Sequence, residues 1–501
     1  VADSVSNPAS TISGIDVMRG VGAKPSKPFW ADAWDRVVKR WGARIGLAWI
    51  AVIALFAVLA PVVATGLPVW TTETVDGEVV RAWSPLWEGL DSVDVALLLG
   101  LVLGVPWIMI PSSTIRLTRS HRIGVLIAAA IQCGVSLLIA ELIGDWLLDV
   151  EQSEGIRSFA GEHTSLVPWV GAVIGAVVGA LIMIPLATFP SRAARIVLIV
   201  LVATAATVIA ADRFSPPLSN YDRYIDRELT GRYENTWAII PWSPTQARTA
   251  FYTLQPGSTV ESRIPDSDGT FFGKRTFLLG TDSVGQDVLS QMLHACRLSI
   301  SIGLVSTGIS VLIGIIVGSL MGYFGGAVDL VLSRIVEIFM AIPVLFLLIV
   351  AAAVLPRNTY MMMAIIGCVS WTLPARFIRA EFLKLRAQDF VQAARAAGLP
   401  LRSVLFKHML PNGLTPVLVQ ASFSIAAAIL AEATLSYLGL GPDGQASWGK
   451  LLSSASTATG TFNWWLAIFP GFAIFLTVLA YNLLGESFRD AIDPKLRKAA
   501  H

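Results

Sequence analysis

Asp389 to Pro411 reads DFVQAARAAGLPLRSVLFKHMLP, a short Ala-rich stretch set between long apolar runs. Alanine is the best helix former, and its small side chain permits close approach to a partner. Gly398, followed by Pro400, gives a sharp stop after the first turns. Arg379, Lys384, Arg386, Arg395, Arg402 and Lys407 surround the stretch with positive charge, so it cannot itself lie in lipid. It is read as a surface helix between two spans. One reading makes it a docking element; the other makes it an ordinary amphipathic loop helix.

Working outward, the chain of 501 residues is 54% hydrophobic and only 14% charged. Its mean hydropathy is +0.66. Such a composition belongs in a membrane and excludes a soluble globular protein. The net charge of +2 carries no signature of nucleic-acid binding. Cys133, Cys296 and Cys368 lie in or beside apolar segments without metal-ligand spacing, and are read as small apolar residues. A span needs about 20 apolar residues. Ten runs qualify, at roughly 43–65, 92–111, 123–148, 167–187, 193–211, 297–322, 328–354, 360–381, 413–438 and 464–485. The first lies too far in for a signal peptide and is expected to be retained.

Lys and Arg favour the cytoplasmic side, which fixes the direction of each span. A basic start with Lys24, Lys27, Arg36, Lys39 and Arg40 is placed inside. The loop 66–91, with Glu73, Asp76, Glu78, Glu88 and Asp91 against Arg81, then falls outside. Arg116, Arg119 and Arg122 return inside, while Asp149, Glu151, Glu154 and Glu162 lie outside. Arg192 and Arg195 are inside and the segment after 212 is outside. The stretch GYFGGAVD, the loop from Arg376 to Lys407, and Arg489, Lys495, Arg497 and Lys498 are inside. Every step alternates, and the Ala-rich loop arrives on the cytoplasmic face.

In that loop Gln392, Ala393 and Ala394, then Gly398, then His408, Leu410 and Pro411, keep the spacing E-A-A, three residues, G, nine residues, I, one residue, L-P. With these residues the chain resembles the membrane subunits of bacterial ABC importers. The resemblance implies that Asp389, Gln392, Ala393, Ala394, Arg395, Ala397, Gly398, His408, Leu410 and Pro411 form the loop that couples to an ATPase. Gln392 stands for the usual Glu and His408 for the usual Ile. Phe277–Gly303, Ala428–Gly441 and Tyr481–Arg497 are further similar to the second permease subunit of dipeptide and oligopeptide importers. That similarity runs over about 277–497, with Gln286 and Gln291 where Arg is usual. The first span also looks like that family's leading helix, whereas the spans between 92 and 211 have no place in its usual pattern.

The expected fold is therefore an all-α polytopic membrane protein of about ten helices, the last five forming a type I importer domain, with a small exterior lobe. The expected divisions are 1–42, a cytoplasmic segment; 43–66, a leading helix; and 67–211, an inserted four-helix region. An exterior segment at 212–296, the permease core at 297–488 with its coupling loop at 382–412, and a tail at 489–501 follow.

Within the core, Gly314, Gly318 and Gly322 recur every fourth residue, which suits close helix contact. They fit either tight bundle packing or a sliding gate surface. Pro343, Pro374 and Pro470 lie in or at the ends of spans, as path-lining breaks or as packing kinks. Ionisable residues in spans are candidates for function; Glu141, Glu337 and Glu432 are singled out, the last as an interhelical tie or a solute contact. The exterior leader Gly280, Thr281, Asp282, Gly285 and Asp287 is expected to begin a helix lying along the membrane, with Asp282 as its cap. Asp282 and Asp287 have a second reading as contacts for a delivery protein. The segment 213–276 is expected to be irregular and without a core.

No G-x-x-x-x-G-K-[ST] loop, zinc spacing, G-x-S-x-G elbow or midspan aspartate pair is present. The chain is expected to be a non-catalytic transport subunit with no cofactor of its own. The resemblance implies that ATP and Mg are bound by two partner ATPases. It also implies a second homologous permease subunit, a solute-binding protein outside, and a peptide or peptide-like solute. The location expected is the bacterial inner membrane, with both chain ends cytoplasmic. A nucleotide-independent carrier or channel on the same helices is the alternative, and it lacks the midspan proton relay such a carrier needs.

Overall fold

The computed structural model describes residues 29–75, 78–110, 119–149, 166–186, 192–213, 224, 232–247, 249–260, 275–456 and 461–492. Arg116, Glu151, Glu154, Glu162, Lys24, Lys27, Lys495, Arg497 and Lys498, used above to orient the spans, lie outside them.

The chain opens with α1 (Phe29–Lys39) and the leading span α2 (Trp41–Val63). Strands β1 (Trp70–Val75) and β2 (Glu78–Trp83) form a hairpin. Four unbroken helices follow: α3 (Ser92–Met109), α4 (Arg119–Asp149), α5 (Val167–Leu186) and α6 (Arg192–Asp212). Strands β3 (Tyr233–Thr236), β4 (Ser258–Val260) and β5 (Arg275–Phe277) precede the last group of helices. These are α7 (Val288–Phe324), α8 (Gly326–Ala341), α9 (Val344–Val354), α10 (Thr359–Val369), α11 (Thr372–Leu385) and α12 (Asp389–Ala396). Then come α13 (Leu401–Tyr437), α14 (Trp448–Ser453) and α15 (Trp464–Ile492).

Eight helices among the described residues are long and apolar enough to cross a membrane unbroken, and two bent pairs bring the total to ten. The runs 328–354 and 360–381 are those pairs, bent by 82° between α8 and α9 and by 43° between α10 and α11. Two boundaries move. At about 55 Å, α7 is longer than the bilayer core is thick, so the helix begins at Val288, inside the segment expected to be exterior. Helix also runs continuously from Leu401 into the ninth span, ahead of the expected start at 413.

Among the described residues the lobe has strands and a core, where irregular chain without one was expected. Strand β1 is central in a three-stranded antiparallel sheet, with β2 on one side and β3 on the other. Two of its three strands come from the loop assigned above to the inserted region. Beside it, Trp242, Phe251 and Phe277 are buried together, with Trp242 stacked on Phe277 at 4.5 Å between centroids. Phe251 meets the other two rings edge-on or tilted, and the three-ring cluster gives the lobe its buried apolar surface.

Helix α7 is the hub of the core, packing against α2, α10, α11 and α13. The leading span lies against the last: a Cβ on Gly46 would come within 2.6 Å of the Ala480 carbonyl. Arg40 and Asp490 pair where those two helices meet, and Trp34 packs on Phe488 beside them. The inserted helices touch the core through two polar links near the lobe. Arg297 of α7 pairs with Asp94 of α3, and Tyr360 of α10 donates to the Glu141 carboxylate at 2.6 Å.

Candidate coupling loop and permease core

Helix α12 starts after Gln388, with Asp389 in its first turn, where a carboxylate complements the helix dipole. It is amphipathic by construction. Val391 and Ala394 are buried on Ile378, Phe382, Leu385, Val404 and Met409, so the helix is seated on the ends of α11 and α13. Asp389, Gln392, Ala393, Arg395 and Ala397 face outward, together with Phe390. Of the two motif alanines, therefore, Ala393 is available to a partner and Ala394 is spent on internal packing. The Gln392 amide donates to the Ala387 carbonyl at 3.3 Å, tying back to its own loop. Arg395 lies over the Tyr323 ring, 4.5 Å from its centroid, and donates to its hydroxyl at 3.2 Å.

Gly398 ends the helix with φ +71, and a Cβ there would meet nothing within 4 Å. The position requires glycine for its backbone angle, not for space. Leu399 N–H returns to the Ala394 carbonyl at 3.2 Å, completing the stop. The chain then re-enters helix at Leu401 and widens to π geometry over Val404–Met409. Pro411 lacks the N–H that would serve the Lys407 carbonyl in an α-helix, and a wider turn hands that carbonyl to the next residue. His408 is half-buried in this π turn, and its carbonyl accepts from the Asn412 amide at 2.8 Å. Leu410 and Pro411 open the α-helical part of α13.

The glycine repeat of α7 meets α11. A Cβ on Gly314, Gly318 or Gly322 would lie 2.5 Å from the Pro374 Cβ, 2.4 Å from the Ala375 carbonyl and 2.5 Å from the Phe382 Cβ, respectively. Backbone touches backbone here, as expected of tight bundle packing. Pro343 stands at the 82° break between α8 and α9. Pro374 is in the first turn of α11, and Pro470 lies inside unbroken α15.

The carboxylates singled out in spans go to different uses. Glu432 is fully buried, and its Oε1 accepts from the Ser436 and Ser447 hydroxyls, both at 2.7 Å. It ties α13 to the residue capping α14. Glu337 is exposed and pairs with Arg334 one turn earlier, at 2.5 Å. Reading the spans singly had passed over the Asp94–Arg297 pair. Both charges are visible in the sequence, at the ends of two apolar runs, but nothing there joins them.

The exterior leader differs from expectation. Gly280 and Gly285 each have φ +80 and frame a tight turn, not a membrane-surface helix. Asp282 caps that turn: its Oδ1 accepts from the N–H groups of Val284 and Gln286, both at 2.9 Å, and its Oδ2 from the Gln291 amide at 2.9 Å. Asp287 caps the helix, accepting from Ser290 N–H at 2.7 Å. Thr281 is fully buried, its hydroxyl donating to the Phe251 carbonyl at 2.5 Å and accepting from Leu254 N–H at 2.7 Å. The Trp465 indole donates to the Thr281 carbonyl at 3.0 Å. Lobe, α7 and α15 are knotted together at this turn. With both aspartates at or below 5% exposure, they are committed internally and not offered to a delivery protein. Burial first, then the nearby Asp282, pushes the Asp287 carboxyl up to about 7 against the pull of Ser290 N–H.

Comparison with known proteins agrees with this architecture. Residues 314–498 match the family described as the inner membrane component of binding-protein-dependent transport systems. Residues 28–73 match the N-terminal transmembrane domain of oligopeptide transport permease C. The two matches leave 74–313 between them, which includes the four inserted helices. The chain is 38% identical over 237 residues to the oligopeptide transport system permease protein OppC of Haemophilus influenzae, covering 47% of this chain and 74% of that one. It is 37% identical over 263 residues to the di/tripeptide permease protein DppC of Pseudomonas aeruginosa, covering 52% and 83%. A chain of the MetNI methionine ABC transporter, inward facing, is 17% identical with a TM-score of 0.34, covering 41% of this chain and 98% of that chain. With the Ala-rich loop, the glycine-packed core and the leading span all in place, this chain belongs to the oligopeptide and dipeptide permease family of binding-protein-dependent ABC importers.

Proposed function

We propose that this chain forms one half of the translocation path of an importer for peptides or peptide-like solutes, and hydrolyses no ATP itself. A second homologous permease supplies the other half. Two ATPase subunits, which bind ATP and Mg, sit below, and α12 docks into one of them. A solute-binding protein delivers from the lobe side. Both chain ends and α12 face the cytoplasm. The observation that carries the reading is the seating of α12: its apolar face is buried on α11 and α13, while Phe390, Gln392 and Ala393 are exposed. Force applied to that exposed face is transmitted directly to two spans. Closure of the ATPases is then a population shift between two arrangements of the core, driven by tighter binding to one of them.

Gly398→Val tests this. A β-branched residue at φ +71 costs about 1–3 kcal/mol of local strain and unwinds the end of α12. In proteoliposomes holding the whole complex, the variant inserts and assembles, ATP hydrolysis continues, and most uptake is lost. Normal coupled uptake would remove the loop from the mechanism. Affinity capture of the native complex on this chain, followed by mass spectrometry, gives the composition: two ATPases and a second permease are expected.

A further inference from the structure

Helix α8 has little apolar packing to fix its place in the bundle. Along its length Val336 alone is buried, against Met321, Trp371 and Ala375. From Glu337 to Phe346, through the 82° break at Pro343, every residue is exposed. Where buried apolar contacts are few, the polar contacts carry more of the positioning.

Those contacts lie at the turn between α7 and α8. Gly325 closes α7 and opens α8 with φ +65, and a Cβ there would lie 2.6 Å from the Arg386 Nη1 at the end of α11. In the first turn of α8, Asp329 takes both arms of the Arg379 guanidinium from α11, Nε on Oδ1 at 2.5 Å and Nη2 on Oδ2 at 2.8 Å. A two-pronged pair fixes orientation as well as distance. The Ser333 hydroxyl donates to the same Oδ1 at 3.2 Å. Arg379 is itself pressed on α7, since a Cβ on Gly322 would lie 2.8 Å from its carbonyl oxygen. Just ahead of the turn, Tyr323 packs on the cluster that seats α12 and carries the Arg395 guanidinium of α12 on its ring and hydroxyl. Tyr323 stands two residues before Gly325. Helix α12 therefore reaches α8 by a route separate from its seat on α11 and α13, and through residues outside the Ala-rich loop.

We propose that Tyr323 and the Asp329–Arg379 pair are positioning residues that make α8 follow α12. Arg395 on the Tyr323 ring carries a displacement of α12 to the α7–α8 turn, and Arg379 holds the first turn of α8 to α11, so that the limb leading to the 82° break moves with them. That role rests on the reading of α12 as the ATPase-docking helix. Leucine at position 323 keeps apolar bulk but removes both the π face and the hydroxyl that engage the guanidinium. Asparagine at position 329 keeps the shape and removes the charge that a bidentate arginine needs.

The test uses the full complex with its ATPases in nanodiscs, carrying Cys133→Ala, Cys296→Ala and Cys368→Ala, and pulsed electron–electron resonance. Spin labels on Val331→Cys in α8 or on Leu399→Cys just after α12, each paired with Val177→Cys in α5, give two distances; all three positions are exposed. In the parent, both distances change between the nucleotide-free complex and the complex trapped with ATP and vanadate. In Tyr323→Leu and in Asp329→Asn the distance from position 399 still changes and ATP hydrolysis continues, while the change at position 331 is lost or reduced. A change at 331 equal to the parent's in either variant overturns the proposal, as does a parent in which only 399 moves. Loss of both changes in the variants would assign these residues to holding α12 in place, and overturns it too. Should one variant fail to assemble, the other carries the test. The docking reading is checked separately by the parent: no change at 399 there sinks that reading and the route with it, whereas a normal parent with unaltered 331 in the variants sinks the route alone.

Discussion

Two glycine stripes, one in the inserted helices and one in the core, use the same spacing and meet different partners. In α5, Gly171, Gly175 and Gly179 press on α4, where a Cβ would lie 2.6 Å from the Ala140 carbonyl, 2.2 Å from the Ser136 carbonyl and 2.2 Å from the Ser136 hydroxyl. In α7, Gly314, Gly318 and Gly322 press as closely on α11. Helix α4 is unbroken, whereas α11 is the second limb of a bent pair, and among the described spans the bends occur only in the core. Close helix contact thus serves two ends. In the inserted helices it locks one straight rod to another; in the core α7 holds both limbs of a bent span, α11 through the stripe and α10 at Gly367, where a Cβ would lie 2.7 Å from the Ile309 Cβ. The inserted helices are a brace, and the core is the jointed part.

The strongest way to break this contrast is Gly318→Leu. The nearest atom is backbone, at 2.4 Å, so the helices must separate, at a cost above the ~1–3 kcal/mol of ordinary overpacking. Assembly and uptake are expected to be lost together, read by size-exclusion of the complex and by vesicle uptake. Gly175→Leu meets backbone just as closely, yet is expected to lower the melting temperature by several degrees while uptake persists. Equal loss of uptake would make the brace part of the moving unit.

The junction between lobe and core gives a subtler effect. Because burial holds the Asp287 carboxyl near 7, the native state keeps a proton that the unfolded chain releases near pH 4. Stability from this group is therefore fully present at low pH and falls as pH rises through about 7. Asp287→Asn should flatten the difference in melting temperature between pH 5 and pH 8, at the cost of about 1 kcal/mol or less for the altered cap. A variant with the same pH slope as the parent would assign that slope to other groups. The smallest effect is expected at Glu337→Gln, where both partners of the Arg334 pair are more than half exposed. A change within ~0.5 kcal/mol, and unaltered uptake, would place Glu337 outside the path.

Sequence reading found the spans and the surface helix α12 because both are written locally: a span is a run of apolar residues, and α12 is an Ala-rich turn closed by Gly398. Breaks were less legible. Pro61, Pro106 and Pro470 all lie inside continuous helices, while Pro343 stands at an 82° bend, and the residue alone does not separate the two cases. The lobe was expected but its sheet was not, because the sheet joins β1 to β3 across the whole insertion, a pairing with no local trace. The Asp94–Arg297 pair bridges 203 positions for the same reason. The stripe at Gly171, Gly175 and Gly179 was readable from its spacing, which repeats that of the core. Asp282 was expected to cap the helix, but it caps the turn before it, and the reach of Asp287 to Ser290, three residues on, identifies Asp287 as the helix cap.

The position of β1 has an evolutionary meaning. Strand β2 leads toward the inserted helices and β3 leads away from them, and both are hydrogen-bonded to the one strand between them. The gap from Trp83 to Tyr233 therefore spans only about two strand spacings, roughly 10 Å, plus a short step along the sheet. A linker of about five residues reaches across it. Everything between is a parenthesis in the gene: it can be opened, lengthened, exchanged or deleted while the sentence on either side still reads. A chain shortened in this way should keep its lobe and its core and lose the brace, together with the Asp94 and Glu141 partners of Arg297 and Tyr360.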